Sequence, residues 1–416
     1  MTTTRPALAV ALLLAALVAA SLPAPAPAAP PAVAAAGHGI SRADMDPSVA
    51  PCEDFYLYAN GGWLARTTMP AAYSRYGGFE ELQDRNLALV HELLEDAAAR
   101  PAASANLALL ATYYGTCMDS LTAEREGMDP VRPQLDRVAA LATVAGLAAE
   151  TARLHMEGVG ALFTLTGSPD PGNSSQVIAT ANQGGLGLPD RDYYFRTDPS
   201  SVRIRTEYVE HVARSLALIG VAPDDARRQA ERVMALETAL ARGSLTRVQL
   251  RDPKANYHKL PLAELERLCP AFDWSAYLKG CGLSRVTELN VRQPGFFATL
   301  DSLLGAVPAA DWRSYLCWRV VERAAPLLST PFVEEDFRFQ QVLTGAKEMQ
   351  PRWRRCLEST DRSLGEALGR EYVARYVPPE TKAKALVMVQ DLKAALRDRI
   401  SQLAWMSGPT KQKTAS

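Results

Sequence analysis

Residues 46–85 read DPSVAPCEDFYLYANGGWLARTTMPAAYSRYGGFEELQDR, and this stretch guides the interpretation of the rest of the chain. Glu53 and Asp54 predict the start of a helix, because carboxylates complement the positive end of the helix dipole. A short aromatic helix beginning at Phe55 follows. The glycine pair at 61–62 predicts its end, since glycine is the usual residue just past a helix C-terminus.

A second helix is predicted to open near Glu80, after a glycine-flanked bend with the sequence SRYGGF at 74–79. The bend carries Arg75 close to the N-terminus of that helix. A planar guanidinium in such a place can bind a carboxylate through two parallel hydrogen bonds. On spacing alone, an ordinary surface or intradomain ion pair is the alternative interpretation of Arg75.

The order DP-x(4)-C-x-DFY-x-YA-x-GGWL, followed by P-x(4)-RYG-x-F-x-L, resembles the opening of the neprilysin-type zinc metallopeptidases, the M13 family. Further blocks keep the order of that family along the chain. They are YYGTCMD (113–119), NQGGLGLPDRDYYF (182–195), LRDPKANYHKL (250–260), FDWSAYL (272–278), PRWRRC (351–356) and LGEALGREYV (364–373). All of them resemble the N-terminal part of the family, which forms a helical lid over a thermolysin-like catalytic domain.

The resemblance implies roles for two residues of the opening stretch. Arg75 matches the family arginine that binds the free C-terminal carboxylate of short peptide substrates. Glu80 matches an acidic residue at the edge of the same subsite, where the best-known animal members have aspartate. The alternative for Glu80 is that it caps its own helix. The resemblance therefore implies a substrate-binding role for both residues and no catalytic residue in this chain.

The zinc chemistry of the family requires residues that this sequence does not contain. A peptidase of this type needs HExxH, with two histidines one turn apart on zinc and a glutamate as general base. No two of the five histidines are four residues apart; they are His38, His91, His155, His211 and His258. The nearest imitation, HELLE at 91–95, is interpreted as a solvated surface pair. We therefore expect no zinc or other cofactor in this chain, zinc belonging to the complete enzyme, and no activity of the chain alone.

Composition sets outer bounds on the function. The chain has 416 residues, 48% of them hydrophobic and 22% charged, enough to bury a substantial core. The 45 basic and 46 acidic residues give a formal net charge of -1. That balance excludes a general electrostatic attraction to nucleic acid or to an anionic membrane.

The first 36 residues differ from the rest. Arg5 is followed by an apolar run at 7–20 and a Pro/Ala-rich stretch with small-residue cleavage options. This pattern predicts a secretory signal peptide, since the run is shorter than the roughly 20 apolar residues that span a membrane. An uncleaved anchor is the alternative. We expect an exported protein, secreted or periplasmic, with one lid domain at 37–416.

Because exported proteins fold in an oxidising environment, the six cysteines of this chain are candidates for disulfide bonds. The resemblance implies a bond between Cys117 and Cys356. Cys52 also matches a family cysteine, whose usual partner lies near the family's C-terminus. The remaining three have no assigned role, and six free thiols are the alternative; the three are Cys269, Cys281 and Cys317.

Hydrophobic periodicity predicts a mainly α-helical chain. The predicted helices lie near 79–99, 106–118, 130–141, 144–157, 200–219, 223–242, 261–268, 273–279, 309–325, 332–347, 350–376 and 379–405. The period changes at 161–166 and 176–181, two β-branched segments on either side of the turn formers SPDPGNSS. These segments predict one small β-hairpin.

The sequence ends within the family block SQLAWMSGPTKQKTAS, which favours an N-terminal fragment of a peptidase. The expected function is the lid of a secreted zinc metalloendopeptidase, with an oligopeptide substrate and a separately encoded catalytic domain as partners. The alternatives are a stand-alone peptide-binding or regulatory protein and a non-functional truncated product. Without a catalytic partner, we expect Phe55, Tyr58 or Trp63 to be partly exposed, Cys52 unpaired, and Arg75 without a buried carboxylate partner.

Overall fold

A computed structural model of the chain describes residues 41–100 and 104–415 and is mainly α-helical, with one small sheet. The predicted signal peptide at 1–36 lies outside these residues. In the described part, no helix is both long enough and apolar enough to cross a bilayer.

The helices follow one another along the chain and are numbered in that order. They are α1 (Phe55–Arg66), α2 (Gly78–Ala99), α3 (Ala105–Met118), α4 (Ser120–Glu126), α5 (Arg132–Ala139), α6 (Leu147–Met156), α7 (Pro199–Leu218), α8 (Pro223–Gly243), α9 (Leu262–Leu268), α10 (Trp274–Gly280), α11 (Pro294–Ala306), α12 (Ala309–Ala324), α13 (Thr330–Thr344), α14 (Arg352–Tyr376), α15 (Pro379–Gln402) and α16 (Gly408–Ala415). The four strands are β1 (Phe163–Asp170), β2 (Asn173–Gln183), β3 (Lys259–Pro261) and β4 (Glu288–Val291). The predicted helical class is confirmed, although α4, α11 and α16 were not predicted.

The chain groups into two compact units. Unit 1 consists of the described residues up to Pro70, together with Arg75–Ala111 and the chain from Leu357 onward. Unit 2 consists of Ala71–Ser74 and Thr112–Cys356. Unit 1 therefore contains α1, α2, α15 and α16, whereas unit 2 contains the whole sheet.

In unit 1, α1 corrects the prediction that the glycine pair at 61–62 ends the first helix. The helix runs through both glycines to Arg66. A Cβ atom on Gly62 would lie 2.4 Å from the carbonyl oxygen of Ala43 and 2.7 Å from that of Met45. Glycine is therefore needed here because the preceding segment passes very close to the helix, and not because the helix stops.

In unit 2, the strand order in the sheet is β1-β2-β4-β3. Strands β1 and β2 form the predicted antiparallel hairpin, but they extend further than predicted, so that six of the eight residues of SPDPGNSS lie within the strands. The Asp170 carboxylate accepts a hydrogen bond from the Gly172 N–H at 2.8 Å and stabilises the turn. Strand β4 lies parallel to β2, and β3 pairs antiparallel with β4. Neither β3 nor β4 was predicted, so a single hairpin describes the sheet incompletely.

The core of unit 2 includes a cluster of aromatic rings around Phe163, at the start of β1. Its ring centroid lies 5.1 to 5.7 Å from those of four other rings, and three of the contacts are edge-to-face. The four are Phe272, Trp274, Tyr277 and Phe297. Edge-to-face packing is a favourable arrangement of aromatic rings, and this cluster joins the sheet to α10 and α11.

A buried carboxylate organises the glycine-rich loop after β2. Glu237 on α8 has 0% exposure and accepts hydrogen bonds from the Tyr194 hydroxyl at 2.6 Å and the Tyr208 hydroxyl at 2.9 Å. It also accepts one from the Gly187 N–H at 3.2 Å. Burial raises the pKa of the Glu237 carboxyl above its ordinary value. The loop is thus fastened to α8 through this buried acidic group.

Unit 2 also contains the disulfide that the resemblance implies. Cys117 on α3 is bonded to Cys356 on α14, with Cα atoms 5.6 Å apart, a usual separation for a disulfide. The bond joins residues 239 positions apart in the sequence. The other four cysteines carry free thiols, and that of Cys52 is exposed.

Candidate functional site

The bend before α2 presents Arg75 to solvent. Its side chain is 87% exposed, and its Nε lies 2.9 Å from Oε1 of Glu80, whose side chain is 16% exposed. Glu80 belongs to the first turn of α2. The structure therefore brings together the two residues to which the sequence assigns substrate binding.

The Arg75–Glu80 pair differs in one respect from the expectation for an isolated lid. Arg75 is open to solvent, as expected, but it has a carboxylate partner, the partly buried Glu80. The aromatic residues of α1 follow the expectation, since Phe55 is 68% exposed while Tyr58 and Trp63 are partly exposed. Glu80 makes a side-chain ion pair here and is not limited to capping α2.

The geometry leaves Arg75 capable of binding an anion. Glu80 occupies the Nε side of the guanidinium, and the high exposure of Arg75 leaves its other nitrogens accessible to solvent. A carboxylate can accept two parallel hydrogen bonds from such an edge. The nearby N-terminus of α2 also favours negative charge.

An apolar groove of about 390 Å³ runs along α2 in unit 1. Its α2 residues follow helical spacing on one face and include Phe79, 87% exposed, and Leu82, 51% exposed. The lining residues are Phe79, Leu82, Gln83, Asn86, Leu87, Val90, Leu357 and Asp361. This groove is not predicted from the sequence, although Phe79 directly precedes Glu80 in the motif.

Three of the four described histidines have ordinary side-chain partners, whereas the buried Nδ1 of His258 has no hydrogen-bond partner among the described residues. Nε2 of His91 lies 3.4 Å from Glu95, as expected for a surface pair. Nδ1 of His155 lies 2.7 Å from the Tyr277 hydroxyl, and Nδ1 of His211 lies 2.9 Å from Glu335. His38 lies outside the described residues.

Across residues 41–100 and 104–415, no group of three or more His, Cys, Asp or Glu side chains is arranged to hold a metal ion. The zinc that the resemblance implies therefore does not fit the residues described here.

Comparison with known proteins identifies the family of this mainly helical chain. A model of the N-terminal region of peptidase family M13 matches residues 51–416. The chain belongs to peptidase family M13.

Individual relatives agree with this assignment. Human endothelin-converting enzyme 1 is 29% identical over 384 residues, which cover 89% of this chain and 49% of that enzyme. The chain thus spans about half the length of the curated relatives it matches. Zinc metalloprotease ZMP1 of Mycobacterium tuberculosis, solved with an inhibitor, is 31% identical, with a TM-score of 0.83 over 90% of this chain and 57% of that one. An open state of the same enzyme gives a TM-score of 0.73 at 32% identity, over 88% of this chain and 57% of that one.

Proposed function

We propose that this chain forms the substrate-access lid of an exported M13 zinc metalloendopeptidase that acts on oligopeptides. In this proposal Arg75 binds the free C-terminal carboxylate of the peptide, and Glu80 holds the guanidinium in place. Zinc and the general base belong to a catalytic part that lies outside the described residues. In one version of this proposal, a separately encoded catalytic domain supplies that part.

The exposure of Arg75 is the observation that carries the proposal. An ion pair with one partner 87% exposed contributes little to stability, because water competes for both groups. The pair is therefore poorly explained as a structural contact. An arginine whose Nε side is held while the rest stays accessible is well suited to bind a planar anion.

The exposed apolar residues of α15 support a lid that contacts a partner. Six large apolar side chains on this helix are 44 to 63% exposed, which is unusual for one contiguous region of a soluble protein. They are Leu386, Val387, Met388, Val389, Leu392 and Leu396. We assign this surface to contact with the catalytic part. The open state of the tuberculosis enzyme shows that opening occurs in one relative.

Peptide binding to the full chain tests the role of Arg75. A tripeptide with a free C-terminal carboxylate should bind more tightly than the same tripeptide with a terminal amide. Arg75→Ala should weaken binding of the free acid by about 10-fold or more, because it removes charge-assisted hydrogen bonds. Isothermal titration calorimetry measures both affinities.

The matched control for this test is Arg100→Ala. Arg100 is also an exposed arginine of unit 1 and lies 3.4 Å from Asp96. Its replacement should leave the affinity unchanged. Equal binding of acid and amide by the unsubstituted chain would rule out the carboxylate-binding role.

A further inference from the structure

We propose that Trp63 is a positioning residue for Arg75, acting through Tyr76. This inference rests on the proposed carboxylate-binding function and names the contacts that hold the arginine in place. Trp63 does not itself touch the ligand in this proposal. It fixes the backbone from which the arginine side chain begins.

The first contact joins α1 to the bend. The Trp63 and Tyr76 rings are stacked, with centroids 6.3 Å apart and planes inclined by 17°. This separation lies within the range of favourable offset stacking. Tyr76 directly follows Arg75 in the chain, so a fixed Tyr76 ring restricts the position of the arginine backbone.

The second contact joins both rings to α2. Nε1 of Trp63 donates a hydrogen bond to Oε2 of Glu81 at 3.2 Å. The Tyr76 hydroxyl donates to Oδ2 of Asp84 at 3.3 Å. Glu81 is held in turn, since its Oε1 accepts a hydrogen bond from Arg85 at 3.1 Å. The two rings therefore form a clamp, Trp63–Tyr76, that is fastened to the first two turns of α2.

The clamp matters because the arginine side chain has little else to fix it. Arg75 makes one ion pair, to Glu80, and is otherwise exposed. Glu80 and the two residues that accept hydrogen bonds from the clamp, Glu81 and Asp84, all belong to the N-terminal end of α2. The clamp therefore holds the Cα and Cβ atoms of Arg75 at a fixed position relative to Glu80. A side chain that is already held in place binds its ligand more tightly, because it loses less conformational entropy on binding.

The experiment measures the affinity of the full chain for the same tripeptide acid and amide by calorimetry. Trp63→Leu removes both the stacking and the hydrogen bond to Glu81, and should weaken binding of the acid by about 2- to 10-fold. Trp63→Phe keeps an aromatic ring and should recover part of the loss. The matched control is Trp405→Leu, which replaces another tryptophan of unit 1 that is 77% exposed, and it should not change the affinity.

A double-mutant cycle separates positioning from general damage. In the Arg75→Ala background, Trp63→Leu should cause no further loss, because the residue it positions is gone. Indole ¹⁵N–¹H spectra give a second measurement, in which the Trp63 signal should shift with the acid and not with the amide. If the acid binds and Trp63→Leu leaves its affinity unchanged, or if the two losses are additive, the positioning role is overturned while the proposed function stands. If the unsubstituted chain does not prefer the acid, the proposed function fails and the positioning role fails with it.

Discussion

At the scale of single residues, Glu237 is a buried acidic group of unit 2 that is enclosed by hydrogen-bond donors. Its carboxylate has 0% exposure and accepts hydrogen bonds from Tyr194, Tyr208 and the Gly187 N–H. Gly187 has no room for a side chain, because an added Cβ would lie 1.9 Å from the Tyr208 hydroxyl. A change in the ionisation of Glu237 therefore affects the contacts that hold the loop at Gly187 in place.

We expect the stability of the chain to depend on pH through Glu237. Burial raises its pKa in the folded state above the ordinary 4.5, so the folded chain holds this proton more tightly than the unfolded chain. The contribution is fully present below pH 4.5 and is lost as the pH rises through the folded pKa. The size of the loss increases with the amount by which burial raises the pKa.

Glu237→Gln removes this titration, and the free energy of unfolding should then fall less steeply with rising pH above 4.5. Urea unfolding at a series of pH values measures the slope. Glu231→Gln is the control on the same helix, because the Glu231 side chain is 61% exposed. Identical slopes for Glu237→Gln and the unsubstituted chain would show that Glu237 does not titrate differently in the two states.

The residues of the candidate site differ in how far the sequence predicts them. Arg75 and Glu80 are five positions apart, and the motif around them identifies both. Trp63 and Tyr76 are not predicted as partners, because their stacking depends on how α1 packs against the start of α2. A local pattern gives the chemistry of the binding group, whereas the contacts that position it appear only in the folded chain.

At the scale of elements, hydrophobic periodicity in the sequence predicts the long helices but not the short strands. Strand β4 has four residues, and it pairs with β2, which lies more than a hundred positions earlier. No local pattern specifies such a partner. The hairpin extends beyond its apolar residues because the Asp170 carboxylate accepts a hydrogen bond from the Tyr257 hydroxyl at 2.7 Å. That long-range contact stabilises a turn in which the sequence shows only loop-forming residues.

The disulfide should contribute substantially to the stability of unit 2. Cys117 and Cys356 close a loop with a sequence separation of 239. The chain-entropy relation then gives a loss of about 5 kcal/mol when both cysteines are replaced by serine. Denaturant unfolding of Cys117→Ser/Cys356→Ser under non-reducing conditions measures the change.

Cys52→Ser is the control for the disulfide prediction. Its thiol is free and exposed, so its replacement should not alter unfolding. A double serine variant as stable as the unsubstituted chain would show that the bond does not restrict the unfolded state in the expected way.

At the scale of the whole molecule, the chain combines an accessible arginine in unit 1 with side chains that form no metal-binding cluster in the described ranges. We therefore predict that the purified chain binds no stoichiometric zinc and cleaves no oligopeptide by itself. Metal analysis after dialysis and a peptide-cleavage assay measure these properties. The tuberculosis enzyme ZMP1 is the positive control under the same conditions. One tightly bound zinc per chain, or cleavage by the chain alone, would contradict the proposed division of roles.

The position of the disulfide has a consequence for the long segment of unit 2. This segment runs from Thr112 to Cys356, and the bonded cysteines at or near its ends have Cα atoms 5.6 Å apart. The bond therefore holds the two ends of the segment close together, as the ends of a short hairpin loop are. Closing a short span costs little entropy, whatever the length of the folded chain between its ends. The segment can therefore be treated as an insert whose length can change while its two ends stay in place.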